Sequence, residues 1–217
     1  MDLQAVLEAT PTCRAYRPDP VPDDVLARVL DAARWAPSGG NRQPVRLIAV
    51  RDVAKRRRLR ELYVPLWERY LGASAGNVTR ADFPKLVRAA DDFAHALDGI
   101  PVLLVVCAHL PDIYPTDHRL GRLSIVGGAS VYPAVQNVLL KARDEGLGTA
   151  LTTLLCAVEP EVKSLLAIPD PFVTAAMVTL GWPAHAFPRR VKRRPLSEIA
   201  FVDTFGATLP GVASSSA

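Results

Sequence analysis

A chain of 217 residues, 49% hydrophobic and 22% charged, can bury one substantial core and lies outside the composition of disordered chains. Its 26 basic and 22 acidic residues leave a net charge of +4, which alone does not mark a nucleic-acid binder. The longest uncharged apolar run, Ile100–Ala108, is far short of the roughly 18 residues of a membrane span.

Residues 1–20 carry Asp2, Glu8, Arg14 and Arg17 among few aliphatics, which is not a secretory pattern, so a cytoplasmic location is expected. Pro22-Asp23-Asp24 suits a first helical turn, and Val25, Leu26, Val29, Leu30 and Ala33 recur at helical spacing, predicting an amphipathic helix over 23–35. It stops at the loop Pro37-Ser38-Gly39-Gly40-Asn41. Residues 45–50 read as a strand and 52–70 as a helix interrupted by Pro65. Residues 71–83, rich in Gly, Ser and Asn, are expected to be mobile. A helix over 84–97 precedes the apolar run 101–108, which suits a strand covered on both faces. A long helix is expected over 123–143, with Pro133 beginning, kinking or breaking it, and Gly146 as its cap. Strands at 149–153 and 172–181 flank a short helix at 160–167. The tail from Ala207 is expected to be disordered or to lie on a partner subunit.

No Gly-x-Gly-x-x-Gly, Walker loop, His-Glu-x-x-His or Gly-x-Ser-x-Gly occurs. The four histidines lack metal-ligand spacing, so no metal is expected. Cys13, Cys107 and Cys156, an odd number without CxxC spacing, read as reduced thiols. Polar or basic patches stand out at 12–17, 37–44 and 189–195, with Thr152-Thr153 at a strand end. A cofactor with a phosphate, a hydroxylated chain and a heteroaromatic ring needs guanidinium groups at one end and backbone donors at the other. The run Lys55-Arg56-Arg57-Arg58-Leu59-Arg60 reads as a solvated helix face. A nucleic-acid-binding module is the rival reading of the basic runs, but neither carries the interleaved aromatics that stack on bases.

The segments Arg14-Ala15-Tyr16-Arg17-Pro18-Asp19-Pro20-Val21-Pro22 and Ala36-Pro37-Ser38-Gly39-Gly40-Asn41-Arg42-Gln43-Pro44, with the helix between them, resemble the N-terminal signature of the nitroreductase (flavin reductase) family. Gly146-Leu147-Gly148-Thr149 with Thr152-Thr153, then Leu180-Gly181-Trp182-Pro183 and Lys192-Arg193-Arg194-Pro195-Leu196, are similar to its C-terminal half in order. The resemblance covers roughly residues 5–200. It implies an α+β fold, a mixed central sheet flanked by helices, in an intertwined homodimer holding FMN at the interface. The FMN-binding unit is expected over 1–206, with 207–217 as a flexible tail.

It further implies hydride transfer from NAD(P)H through flavin N5 to a small aromatic, quinone or nitro acceptor by a ping-pong cycle. Thr12 and Arg14 would meet the ribityl-phosphate or pyrimidine edge of FMN, and Ser38 and Asn41 would come from the other subunit. Leu151, Thr152 and Thr153 would bring backbone N–H groups to N5, and Arg193 would pair with the phosphate. The family's usual first pair of basic residues is Thr10-Pro11 here, so part of the customary phosphate clamp is missing, and Arg190 or Lys192 could compensate. Arg17 reads equally as a second phosphate ligand or a surface charge, and Val45 stands where an aromatic is usual. A specialised biosynthetic flavin dehydrogenase of the same fold is the alternative within the family. The iodotyrosine deiodinase branch is disfavoured because Ala94 stands where its substrate-binding Lys would align. Tyr63, Trp67 and Tyr70, spaced four and three apart, share one helix face. They are expected either to pack on the core or to cover the flavin and stack on a planar acceptor.

Overall fold

Strand β2, Val102–His109, is the middle of the molecule, with seven of its eight residues buried. Even-numbered Val102, Leu104, Val106 and Ala108 enter one hydrophobic cluster, and odd-numbered Leu103, Val105 and Cys107 enter another. This is the two-residue alternation of a strand covered on both faces, as the apolar run predicts. The computed structural model describes residues 1–75 and 80–211.

Around β2 lie β1 (Val45–Val50), β3 (Gly148–Thr152) and β4 (Phe172–Gly181), in the order β1-β2-β4-β3, every pair antiparallel. The parallel component of the sheet is one bridge, Thr12 to Thr149, on the outer edge of β3. Helices cover both faces, giving the expected α+β architecture. Cluster one is closed by α2 (Asp23–Asp31) and α5 (Tyr132–Asp144), which contribute Leu26, Val29, Val135 and Val138. Cluster two is closed by α3 (Val53–Ala75), α4 (Lys85–His95) and α6 (Glu159–Leu166), which contribute Leu59, Tyr63, Phe93 and Val162. Among the described residues no helix is long and apolar enough to cross a membrane.

Local chemistry sets the helix ends. Asp23 and Asp24 occupy the first turn of α2, where carboxylates meet the positive end of the macrodipole, and a 3₁₀ turn at Ala32–Trp35 completes the predicted span. The sequence reading missed α1 (Leu3–Glu8), where the Asp2 carboxylate accepts from Ala5 N–H at 2.9 Å.

Two expectations are corrected. Pro65 does not interrupt α3, which runs on through Ala75. Proline forfeits one bond, to the Glu61 carbonyl, while Leu59 and Tyr63 before it and Trp67 after it hold both halves on cluster two. The helix expected from residue 123 starts at Tyr132, with Pro133 in its first turn. Residues 123–131 are not helical. They include Gly127-Gly128 and follow a loop tied to buried Asp117, which accepts from Ser124 Oγ at 2.6 Å and Ile125 N–H at 3.1 Å. In the segment expected to be mobile, 71–75 extend α3 and Arg80–Asp82 form a 3₁₀ turn, while 76–79 lie outside the described residues. Of the tail, Thr208 bridges back to Phe201, and 212–217 lie outside the described residues.

Arg28 joins α2 to α5 through Glu145 and Asp24, both at 2.9 Å. Lys141 reaches Asp144 at 2.8 Å and Glu145 at 2.7 Å, and the N-terminal amine reaches Asp144 at 2.5 Å. Arg28 foremost, then Lys141, holds the Glu145 carboxyl down at about 2. A depressed carboxyl stabilises the folded state above its ordinary range, near 4.3, and loses that contribution as pH falls through the folded value. We expect Glu145→Gln to melt on the order of 2 °C below the wild type near neutrality. The difference should close between about pH 4.5 and pH 2, as followed by thermal melts across that range.

Candidate functional site

Residues 12–17 cross the end of the sheet and are stitched there by their backbone. Cys13 N–H donates to the Thr149 carbonyl at 2.8 Å, Arg17 N–H to Trp182 at 2.8 Å, and Ala184 N–H to Ala15 at 2.9 Å. The crossing needs two residues without side chains. Gly148 and Gly181 are cross-strand partners. A Cβ on Gly148 would lie 2.7 Å from Cys13 Cβ, and one on Gly181 would lie 3.0 Å from the Tyr16 ring and 2.9 Å from Pro101.

Tyr16 fastens the crossing from below. Its hydroxyl donates to the Cys13 carbonyl at 2.9 Å and lies 2.6 Å from Thr179 Oγ1, which accepts from Ala150 N–H at 3.1 Å. With one proton on each hydroxyl, the chain runs Ala150 N–H to Thr179, Thr179 to Tyr16, and Tyr16 to Cys13. Burial raises the Tyr16 phenol well above its ordinary value, so it remains a neutral donor at physiological pH.

With Cys13 buried, its neighbours in the extended chain face outward, and Thr12 and Arg14 enter an open cleft of about 340 Å³. Leu151, Thr152 and Thr153 line its floor; Tyr63, Trp67, Tyr70 and Phe93 line its wall. The Thr149 carbonyl points to the outer edge of β3, since Cys13 bonds it there. Two residues on, Leu151 presents its N–H and carbonyl on the same edge, where no further strand pairs. Arg14 is half-buried and makes no hydrogen bond or ion pair among the described residues. The Leu151 side chain is 42% exposed at this edge.

The aromatic wall is graded. Tyr63 is 3% exposed, its hydroxyl 3.3 Å from Thr152 Oγ1, and burial raises its pKa. Trp67 is half-buried and donates its indole N–H to Asp91 at 3.0 Å. Tyr70 is exposed, its ring 5.9 Å from that of Trp67. All three line one cleft, as their spacing predicts, and Tyr63 and Trp67 also pack on cluster two.

The remaining predicted residues lie elsewhere on the chain. Ser38 lines a second cleft with Leu30, Pro44, Val45 and Ser130. Its hydroxyl accepts from Gln43 N–H at 2.9 Å, and Gly39 N–H donates to Ser130 Oγ at 3.0 Å. Gly40, Asn41 and Gln43 all have positive φ, a conformation uncommon outside glycine, which fixes Asn41 at the surface of a tight loop. Arg193 lies in a third cleft with Gln4, Leu7 and Glu8 of α1, Arg190 and Lys192. Arg190 pairs with Glu8 and Arg194 with Glu198, each at 3.7 Å, whereas Arg193 and Lys192 pair with no carboxylate among the described residues. Arg17 pairs with Asp19 at 3.2 Å and lies 5.9 Å from the Trp182 ring. No cluster of three or more His, Cys, Asp or Glu suited to a metal occurs among the described residues. Sequence reasoning missed Thr179 and Asp91, whose importance depends on partners far away in the chain.

An α+β chain that sets an unpaired arginine and an open strand edge against aromatic rings has the make-up of a protein for a flat, polar-edged aromatic ligand. The profile of the Nitroreductase family matches residues 7–182, and the chain belongs to that family; it is an oxidoreductase. It is 28% identical over 193 residues to an NADH dehydrogenase of Thermus thermophilus, covering 79% of this chain and 82% of that one. It is 29% identical over 198 residues to 5,6-dimethylbenzimidazole synthase of Rhodospirillum rubrum, covering 86% and 84%. A solved structure of iodotyrosine deiodinase bound to FMN and 3-iodo-L-tyrosine superposes with a TM-score of 0.71 at 23% identity, covering 94% of this chain and 100% of that one.

The buried hydroxyl chain gives a direct test. Thr179→Val leaves the Tyr16 hydroxyl and Ala150 N–H short of partners and should cost about 1–3 kcal/mol of unfolding free energy, whereas Thr179→Ser should recover most of it. Gly148→Ala forces Cys13 aside and should cost about 1–3 kcal/mol. Urea titrations of the three variants read both effects.

Proposed function

We propose that the protein is an FMN-dependent oxidoreductase that works as a homodimer and uses the Thr12–Leu151 cleft for the isoalloxazine ring. The observation that carries this reading is the convergence, in one cleft, of unpaired Arg14, the open edge at Leu151 and the aromatic wall. That donor set fits a flavin. The Leu151–Thr153 edge offers N–H groups to one side of a planar ring, Arg14 a positive charge to another, and the threonine hydroxyls suit a hydroxylated chain. Arg193 and Lys192, free of carboxylates among the described residues, suit a phosphate, and α1 leads from their cleft towards Thr12.

When bound, FMN would supply the redox chemistry, hydride transfer between NAD(P)H and a small planar acceptor. The chain's own residues bind and orient. Arg14 would favour the anionic reduced form by its charge, the β3 edge would fix the height of the ring, and Trp67 and Tyr70 would cover its open face. Donor and acceptor would take turns on that face. Ser38 lies in a separate cleft and Asn41 is exposed on the same loop, so we assign them to the partner copy's cofactor. Association is supported by Leu120, Leu123 and Ile125, three apolar side chains within six residues of one loop, each more than 60% exposed.

A specialised biosynthetic oxidoreductase is the second reading, favoured by the dimethylbenzimidazole synthase relative. It predicts flavin binding with little turnover of quinone or nitro acceptors.

The purified protein should be a dimer with one FMN per chain. Arg193→Ala should weaken FMN roughly tenfold to a hundredfold and leave riboflavin, which lacks the phosphate, unaffected; Arg14→Ala should weaken both. Fluorescence titrations measure all four combinations. A flavin-free monomer that takes up no added FMN overturns the reading. An Arg193→Ala variant with unaltered FMN affinity moves the phosphate to Arg190 or Lys192.

A further inference from the structure

Trp67 belongs to two places at once. It lines the cleft, and its indole N–H donates to Asp91 Oδ1 at 3.0 Å. Asp91 is buried on α4, and its other oxygen receives Arg80 Nε at 3.1 Å. Arg80 begins the 3₁₀ turn that follows α3 and also pairs with Asp92. One turn further along α4, His95 Nδ1 lies 2.9 Å from the Asp91 carbonyl, and its Nε2 lies 3.6 Å from Glu68, the residue after Trp67. A buried carboxylate is costly unless several donors meet it. Here Trp67 and Arg80 meet it, and the first of them is a cleft-lining ring.

We propose that Asp91 is a positioning residue for acceptor recognition. It fixes the plane of Trp67 and so selects planar aromatic acceptors, with Arg80 holding the carboxylate in place. An indole can only donate, and it has two side-chain torsions, so one charged acceptor suffices to choose its orientation. Packing alone would not need the carboxylate, because α3 and α4 already share Leu59, Tyr63, Phe93 and Ala94. The inference rests on the reading of this cleft as the site of FMN and its acceptor.

The test uses the FMN-loaded protein and three substitutions. Asp91→Ala should shift selectivity between a naphthoquinone and ferricyanide roughly tenfold against the naphthoquinone, through its KM rather than kcat, with FMN content unchanged. Asp91→Asn keeps an acceptor for the indole and should restore most of the preference. Trp67→Phe should reproduce the loss, and adding Asp91→Ala to it should cost nothing more. The Trp67 indole N–H resonance in ¹⁵N spectra, identified by its disappearance in Trp67→Phe, should move in Asp91→Ala with or without flavin. An unmoved resonance, an equal effect on both acceptors, or additive losses in the double variant overturns the proposal. A wild-type protein that takes up no FMN overturns the functional reading, and the acceptor role of Asp91 with it, while the resonance still reports the tether.

Discussion

The crossing of Cys13–Tyr16 over a pair of bare glycines is the constraint on which the cleft depends. Gly148 and Gly181 face each other across β3 and β4, and only without Cβ atoms can the crossing segment lie this close. Once it does, Cys13 bonds the Thr149 carbonyl and stops the sheet from gaining a fifth strand along its full edge. Leu151, two residues further, keeps its edge open. The same event that buries Cys13 turns Thr12 and Arg14 outward. An arginine and a free strand edge therefore meet without either being placed by a loop of its own. The hydroxyl chain from Ala150 through Thr179 and Tyr16 to Cys13 ties the crossing to the sheet interior, so the cleft inherits the rigidity of the core.

Where one physical signal dominates, the sequence is legible. The unbroken apolar run at 101–108 suits a strand with both faces covered, and the acidic first turn with periodic aliphatics at 23–35 suits an amphipathic helix; both form. The glycine motifs stood out because they resemble a family pattern; their reason, a crossing strand, needs the register of β3 on β4. Pro65 and residues 123–131 were misread because a local rule was given too much weight or too little. At Pro65 the packing of Leu59, Tyr63 and Trp67 outweighs one lost hydrogen bond. Before Tyr132 a glycine pair and a buried Asp117 outweigh a tolerable helical pattern. Asp91 left no trace, since on a helix with charges on one face it reads as solvent-facing until Trp67, 24 residues away, is seen to reach it.

Charge shows the same dependence on partners. The run at 55–60 reads as a solvated basic face, yet Arg56 donates to the Pro101 carbonyl at 2.6 Å, Arg58 meets Glu61 and Arg60 meets Asp98. The run nonetheless stays on the surface as expected, with Lys55, Arg57 and Arg58 exposed and Leu59 alone buried. In the run at 189–194, Arg190 and Arg194 have carboxylates and, among the described residues, Lys192 and Arg193 do not. What separates a structural arginine from a candidate ligand is thus its lack of an acid rather than its presence in a basic cluster. Arg14 meets the same criterion in a half-buried setting, where an unpaired guanidinium is harder to leave unsatisfied.

The predicted site residues other than Asn41 fall into three clefts on one chain, with Asn41 on the loop of the second, and this separation has a physical logic. A loop with positive φ at Gly40, Asn41 and Gln43 is held rigid by Ser38 Oγ and Ser130 Oγ although little of it is buried. Such conformations cost about 1–3 kcal/mol each outside glycine and persist where the surroundings over-determine them. A loop held so firmly at the surface is a preformed contact for something outside its own chain. Under the dimeric reading that contact is the neighbouring cofactor, and strain in one chain is offset by binding in the other. Flavin retention and association would then be one equilibrium, since a cofactor gripped from both chains stabilises the assembled state in proportion to its own affinity.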